Sequence, residues 1–128
     1  MFAATVVCVV ALLAIEPDPK GYDTHTQLGL SACNWPKVYG QPCPTCGATT
    51  AATLVVHGRL WSAFVTQPFG ATFALFGIVL GFTAGFCLFR SRSFFDVYVQ
   101  LPRTAIALSG IALLLLSWGY KCLVFVPG

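Results

Sequence analysis

The chain has 128 residues, 57% of them hydrophobic and only 9% charged, with a formal net charge of +3 and a mean hydropathy of +0.80. A typical soluble protein carries about 25% charged residues, so this composition argues against a water-soluble domain and for a single domain solvated by lipid. The seven Lys and Arg are scattered, with no basic stretch interleaved with aromatics, which argues against a nucleic-acid partner.

The first apolar run covers residues 2–15. As a helix it would span about 21 Å, short of a hydrocarbon core about 30 Å thick. It lacks the basic n-region and small-residue cleavage site of a secretory signal. It reads as a transmembrane helix whose start lies upstream of Met1, or as a short, tilted anchor. Residues 16–67 form a long connecting segment. Pro17, Pro19 and Gly21 break the chain at its start, and no period of 3.6 or 2 is visible up to Pro42. A helix is expected over 44–56, opened by Pro44, whose missing N–H costs nothing at a first helical position. His57-Gly58 ends or bends it. Leu60 to Val65 forms a second helical piece, stopped by Pro68. The 44–56 piece is too short and too rich in Thr to span, so it is expected at the interface or as a re-entrant segment covered by protein.

Residues 69–89 form the clearest spanning helix, without a charge. Gly77, Gly81 and Gly85 recur at spacing four, a pattern that lets helix backbones approach closely in lipid. That face either packs the chain's own helices or supports self-association. Residues 90–103 carry Arg90, Arg92 and Arg103 against Asp96 alone, with Phe94, Phe95 and Tyr98 as headgroup anchors. A third span is expected over 104–120, with Trp118, Tyr120 and Lys121 at the far interface and Lys121 snorkelling outward. The three arginines place 90–103 in the cytoplasm and 16–67 outside it.

Of the six cysteines, Cys8, Cys87 and Cys122 lie in apolar runs, where cysteine behaves as a small hydrophobe. Cys33, Cys43 and Cys46 lie in the connecting segment. The run Cys43-Pro44-Thr45-Cys46-Gly47 places two sulfurs at a spacing suited to one metal ion or one disulfide. A helix starting at Pro44 would put Cys43 at its N-terminus, where the dipole favours a thiolate. With His25 and Cys33 the pair completes a Cys3His set of the kind that closes a structural zinc site. A disulfide, Cys43–Cys46 or Cys33–Cys43, stapling an external loop is the competing reading. A redox-active pair and plain packing stay open beside these. Thr50, Thr53 and His57 share a helix face. They line a polar cavity, or the threonines bond back to helix carbonyls while His57 caps the helix end. Arg59 and Trp61 read as interfacial anchors. No phosphate loop, HExxH or G-x-S-x-G motif occurs, and no charge sits mid-span to mark an ion pathway.

The run Cys43-Pro44-Thr45-Cys46-Gly47-Ala48-Thr49 resembles the Cys-Pro-x-Cys-Gly-x-Thr signature of a small bacterial membrane domain of unknown function. His57-Gly58 and Gln67-Pro68 match that family's Gly-centred break and its Gln-Pro helix opening. Thr24-His25-Thr26-Gln27-Leu28-Gly29-Leu30, followed by Cys33, is similar to a subgroup. The resemblance covers roughly residues 23 to 89. It implies a two- or three-span protein of the bacterial plasma membrane and no established activity. Many members carry arginine directly after the motif threonine. This chain has Thr50, so an anion-binding role for that arginine is not implied here.

The expectation is therefore an all-α membrane protein, one domain over 1–128. It has three spans and a short interfacial or re-entrant helix. It reads as a non-enzymatic module of the inner membrane that holds a metal ion, zinc being the expected one, on His25, Cys33, Cys43 and Cys46. Its partners would be the lipid bilayer and a second copy through Gly77, Gly81 and Gly85. The alternatives are a membrane thiol–disulfide oxidoreductase using Cys43 and Cys46, and a passive scaffold with a structural disulfide.

Overall fold

The computed structural model describes residues 2–89 and 102–124. They form, in chain order, α1 (Phe2–Leu13), a 3-10 helix (Thr24–Leu28), α2 (Trp35–Tyr39), α3 (Ala48–Val56), α4 (Leu60–Thr66), α5 (Pro68–Phe89) and α6 (Arg103–Val124). No strand occurs among the described residues, so the all-α expectation holds.

Two helices, α5 and α6, are long and apolar enough to cross a membrane, each with 22 residues, or about 33 Å of rise. Three were expected. The first run yields a helix of only 12 residues. It ends at Leu13, and Ile15 turns inward as a buried residue of the connecting segment. The last helix runs past its expected end at residue 120, because Lys121 and the residues after it continue the coil.

The start of α5 is built by Gln67. Its backbone is extended (φ −162°, ψ 104°), and Pro68 follows as the first helical residue. The Gln67 Oε1 accepts from the Gly70 N–H at 2.9 Å, satisfying one of the four donors a helix leaves open at its N-terminus. The Phe69 N–H donates to Ser117 Oγ on α6 at 3.1 Å. The C-terminal part of α6 therefore lies beside the N-terminal end of α5.

The core sits where α3, α4 and α5 meet, around Ala51, Leu54, Val55, Ala63 and Ala71. Small residues dominate it, so the backbones come close. A Cβ at Gly70 would stand 2.6 Å from the Cα of Ala48. A Cβ at Gly81 would collide with Thr5, and one at Gly85 would lie 2.5 Å from the Phe2 ring, both on α1. Thr5 sits over Gly81 and Phe2 over Gly85, so α1 is antiparallel to α5. At these two positions the glycine face packs the chain's own helices. Gly77 meets nothing within 4 Å.

The C-terminal ends of α1 and α6 and the N-terminal end of α5 thus gather at one end of the bundle. The connecting segment caps that end. Within it, α4 turns Leu60, Trp61, Phe64 and Val65 outward, and Arg59 is exposed at its start. The stretch expected to be irregular contains two short helical turns, each closed by a left-handed glycine, Gly29 and Gly40. Arg90, Arg92, Phe94, Phe95, Asp96 and Tyr98, on which the loop and most of the sidedness argument rest, lie outside the described residues.

Candidate thiol site

The motif Cys43 to Gly47 forms a turn ahead of α3 rather than the first turn of the helix. The Cys46 N–H donates to the Cys43 carbonyl at 2.9 Å, and the Ala48 N–H to that of Thr45 at 3.0 Å. Gly47 then takes φ 86°, a left-handed conformation that breaks the coil and that residues with a Cβ rarely adopt. The helix begins only at Ala48. Pro44 is therefore not its first residue, and Cys43 does not sit at a helix N-terminus. The dipole argument for a Cys43 thiolate falls with that placement. Gly47 is also required sterically, since a Cβ there would collide with the carbonyl oxygen of Gly21.

Side chains from the long helices pin this turn. The Trp118 indole donates to the carbonyl of the fully buried Pro42 at 2.9 Å. The Gln67 amide, itself 0% exposed, donates through Nε2 to the carbonyl of Pro44 at 3.0 Å. One glutamine thus caps α5 and clasps the thiol turn. Lys121 approaches from α6. Expected to reach outward, it is 8% exposed and donates to the carbonyls of Gly21 (3.2 Å) and Thr66 (3.1 Å). Thr66 is the last residue of α4, whose carbonyl has no partner within the helix, and Gly21 lies in the loop after α1, so the folded cap supplies both acceptors. Tyr120 likewise donates to the Val65 carbonyl at 2.9 Å.

The three connecting-segment cysteines come near each other, with Cys33 Sγ 3.7 Å from Cys43 Sγ. The Cys43 sulfur also lies 3.6 Å from Thr45 Oγ1. Cys33 is brought in by the loop that Asp23 organises. Asp23 is a non-glycine residue in the left-handed region (φ 65°), and its carboxylate accepts from the Cys33 N–H at 3.1 Å. Cys46 is 4% exposed. Burial pushes its thiol up from the usual value near 9 to about 12, the nearby Cys43 and Cys33 add to this, and the Lys121 ammonium does not offset it. Cys33 is also raised, first by desolvation, then by its contact with Cys43. These two sulfurs are held as thiols.

The His25 Nε2 donates to the carbonyl of Ser31 at 3.0 Å. No group of three His, Cys, Asp or Glu side chains stands ready to hold a metal ion among the described residues. On α3, Thr53 donates to the Thr49 carbonyl at 2.9 Å and His57 Nδ1 to that of Thr53 at 2.8 Å. Both satisfy the helix's own backbone. Thr50 instead pairs with Thr24 across the cap, hydroxyl to hydroxyl at 2.7 Å. Thr24 Oγ1 also accepts the Asp18 N–H at 3.0 Å. Sequence reasoning missed Gln67 and Lys121 as organisers of the site. A signal for Gln67 was present, since a polar residue before proline and three before Gly70 is a helix-capping arrangement.

A family model described as "Protein of unknown function (DUF2752)" matches residues 33–81. The match begins at Cys33, takes in the thiol turn, α3 and α4, and ends at Gly81, part-way along α5. No curated protein and no solved structure matches the chain.

Proposed function

We propose that the chain is a multi-pass protein of the bacterial plasma membrane whose cap carries a reversible dithiol, Cys33 and Cys43. The membrane reading is supported by the surfaces of α5 and α6. Their most apolar stretches are only 22% and 11% buried, and side chains such as Phe73 and Leu116 stand 68% and 73% exposed. A water-soluble monomer rarely leaves so large an apolar surface open, whereas lipid solvates it. The cap, at the end opposite Arg103, faces the outside of the cell.

The observation that carries the dithiol is the 3.7 Å contact between Cys33 Sγ and Cys43 Sγ. A disulfide needs these two sulfurs at about 2.05 Å, so the contact is the starting point from which their side chains would rotate to close it. In exchange with a partner protein's disulfide, the two thiols become one S–S bond. The partner's disulfide becomes two thiols and receives both protons and both electrons. The pair is Cys33–Cys43 rather than Cys43–Cys46, because Cys33 touches Cys43 and is partly exposed, whereas Cys46 is buried.

The test is mild oxidation of the detergent-purified protein, followed by alkylation and peptide mass spectrometry. A Cys33–Cys43 cross-link with Cys46 left as a free thiol is expected. A dominant Cys43–Cys46 cross-link, or none, would sink the reading.

The separation of 3.7 Å also suits two thiolates bound at about 2.3 Å to one tetrahedral zinc ion. A structural zinc centre on these two sulfurs is the second reading, and it requires Cys46 to turn toward them, since no third ligand stands in place among the described residues. His25 would join only by leaving Ser31. Stoichiometric metal in the purified protein that disappears in Cys43→Ser would select zinc over the dithiol.

A further inference from the structure

Helices α1 and α5 touch closely at one end and part at the other. Contact is tight where Gly81 and Gly85 receive Thr5 and Phe2, and open at Gly77. Toward the cap, α3 closes against α5 through Ala48 and Gly70. The wedge left between the three helices is a cavity of about 540 Å³, bounded by Cys8 and Leu12 of α1, Ala52 and Val56 of α3, and Phe73 and Gly77 of α5. No charged side chain lines it among the described residues.

The wedge is open on one side, and its largely apolar lining offers water few hydrogen-bond partners. Left empty, its walls would forgo their dispersion contacts. Size decides the occupant. An α-helix about 10 Å across fills roughly 80 Å³ per Å of length, so the cavity would seat only about one turn of a second copy's helix. A hydrocarbon chain is thin enough to enter lengthwise. At about 30 Å³ per methylene-sized unit, the volume of one liquid water, the space suits a chain on the order of 18 carbons. The absence of a charged lining residue leaves a headgroup nothing to pair with inside, so only the tail enters.

We infer that this cavity seats one acyl chain of a membrane phospholipid, wedged between α1, α3 and α5. The inference rests on the membrane reading above. The two fail differently: a chain that is released from membranes without detergent ends the first, and a detergent-extracted chain without bound lipid ends the second.

The experiment is native mass spectrometry of the protein extracted in mild detergent and incubated with phosphatidylglycerol vesicles, with lipid extraction in parallel. Wild type is compared with Gly77→Leu, which fills the cavity from a position with no neighbour within 4 Å. Wild type retains about one phospholipid per chain, and Gly77→Leu loses it at least severalfold with unchanged helical circular dichroism. Equal retention in both, no retention in wild type, or an isoprenoid quinone as the retained species overturns the inference. Should Gly77→Leu lose its helical signal, Leu12→Phe fills the cavity from the α1 side and supplies the deciding comparison.

Discussion

Trp118 and Pro42 stand 76 positions apart in the sequence and are joined by a 2.9 Å hydrogen bond, indole N–H to carbonyl. Pro42 is fully buried, so its carbonyl has no water to fall back on. Trp118→Phe keeps most of the ring and removes the donor. The orphaned carbonyl costs about 1–3 kcal/mol. The change is expected to lower the thermal midpoint in detergent and to speed alkylation of Cys46, which sits in the turn that Pro42 opens. Unaltered Cys46 labelling would show that the turn holds without α6.

Gln67 makes two contacts at once, to the Gly70 N–H and to the Pro44 carbonyl. Gln67→Ala loses a helix cap and leaves a buried acceptor unpaired, together about 2 kcal/mol. Gln67→Glu keeps the cap but places a carboxylate against the Pro44 carbonyl, and is expected to be worse than alanine. Chemical denaturation of the three proteins in the same micelle ranks them. Glutamate matching wild type would refute the clasp.

The Cys46 thiol gives a pH dependence with a defined sign. Its folded value, about 12, lies above the usual value near 9. Between those two pH values the unfolded chain gives up its proton while the folded chain keeps it. Stability from this group is therefore complete below about pH 9 and falls as pH rises toward 12. Other groups titrate in that window, so the readout is the difference between wild type and Cys46→Ala. The alkaline decline is expected to be shallower in the variant. Cys46 is also expected to be the slowest of the three cap thiols to react with iodoacetamide at pH 8.

The glycines of α5 divide into filled and open positions. Gly81→Val drives a branched side chain into Thr5 and is expected to cost about 1–3 kcal/mol, while loosening α1. Gly77→Ala adds a methyl where nothing lies within 4 Å and is expected to be neutral or slightly stabilising, through helix propensity. Unfolding of the pair in lipid bicelles separates them. Equal effects would mean that α1 does not pack on α5 as described.

Much of the scaffold was legible in the residues. Uncharged length found α5 and the position of α6, and Gly58 and Pro68 marked where the short helices stop. Spacing-four glycines announced a close helix contact, though only Thr5 and Phe2 show which helix supplies it. What could not be read was set by contacts distant in sequence. Pro44 looked like a helix start, yet Gly47 takes a left-handed turn and lies too close to the carbonyl of Gly21, 26 positions earlier, to carry a side chain. Lys121 at a helix end looked like an outward anchor, yet Gly21 and Thr66 offer carbonyls that no local pattern reveals. Among the thiols, the sequence offered both Cys43–Cys46 and Cys33–Cys43 as pairs; the choice of Cys33 is made by the carboxylate of Asp23, which accepts from its N–H.

The pins on Pro42 and Gly21 come from α6, the last of the described helices to leave the ribosome. Until that segment is synthesised, the cap already carries all three of its cysteines but lacks the indole and the ammonium that bond to its carbonyls. Order at the N-terminal side of the cap therefore waits on the C-terminal helix, and a chain shortened before Trp118 would present the same thiols on a cap without those two pins.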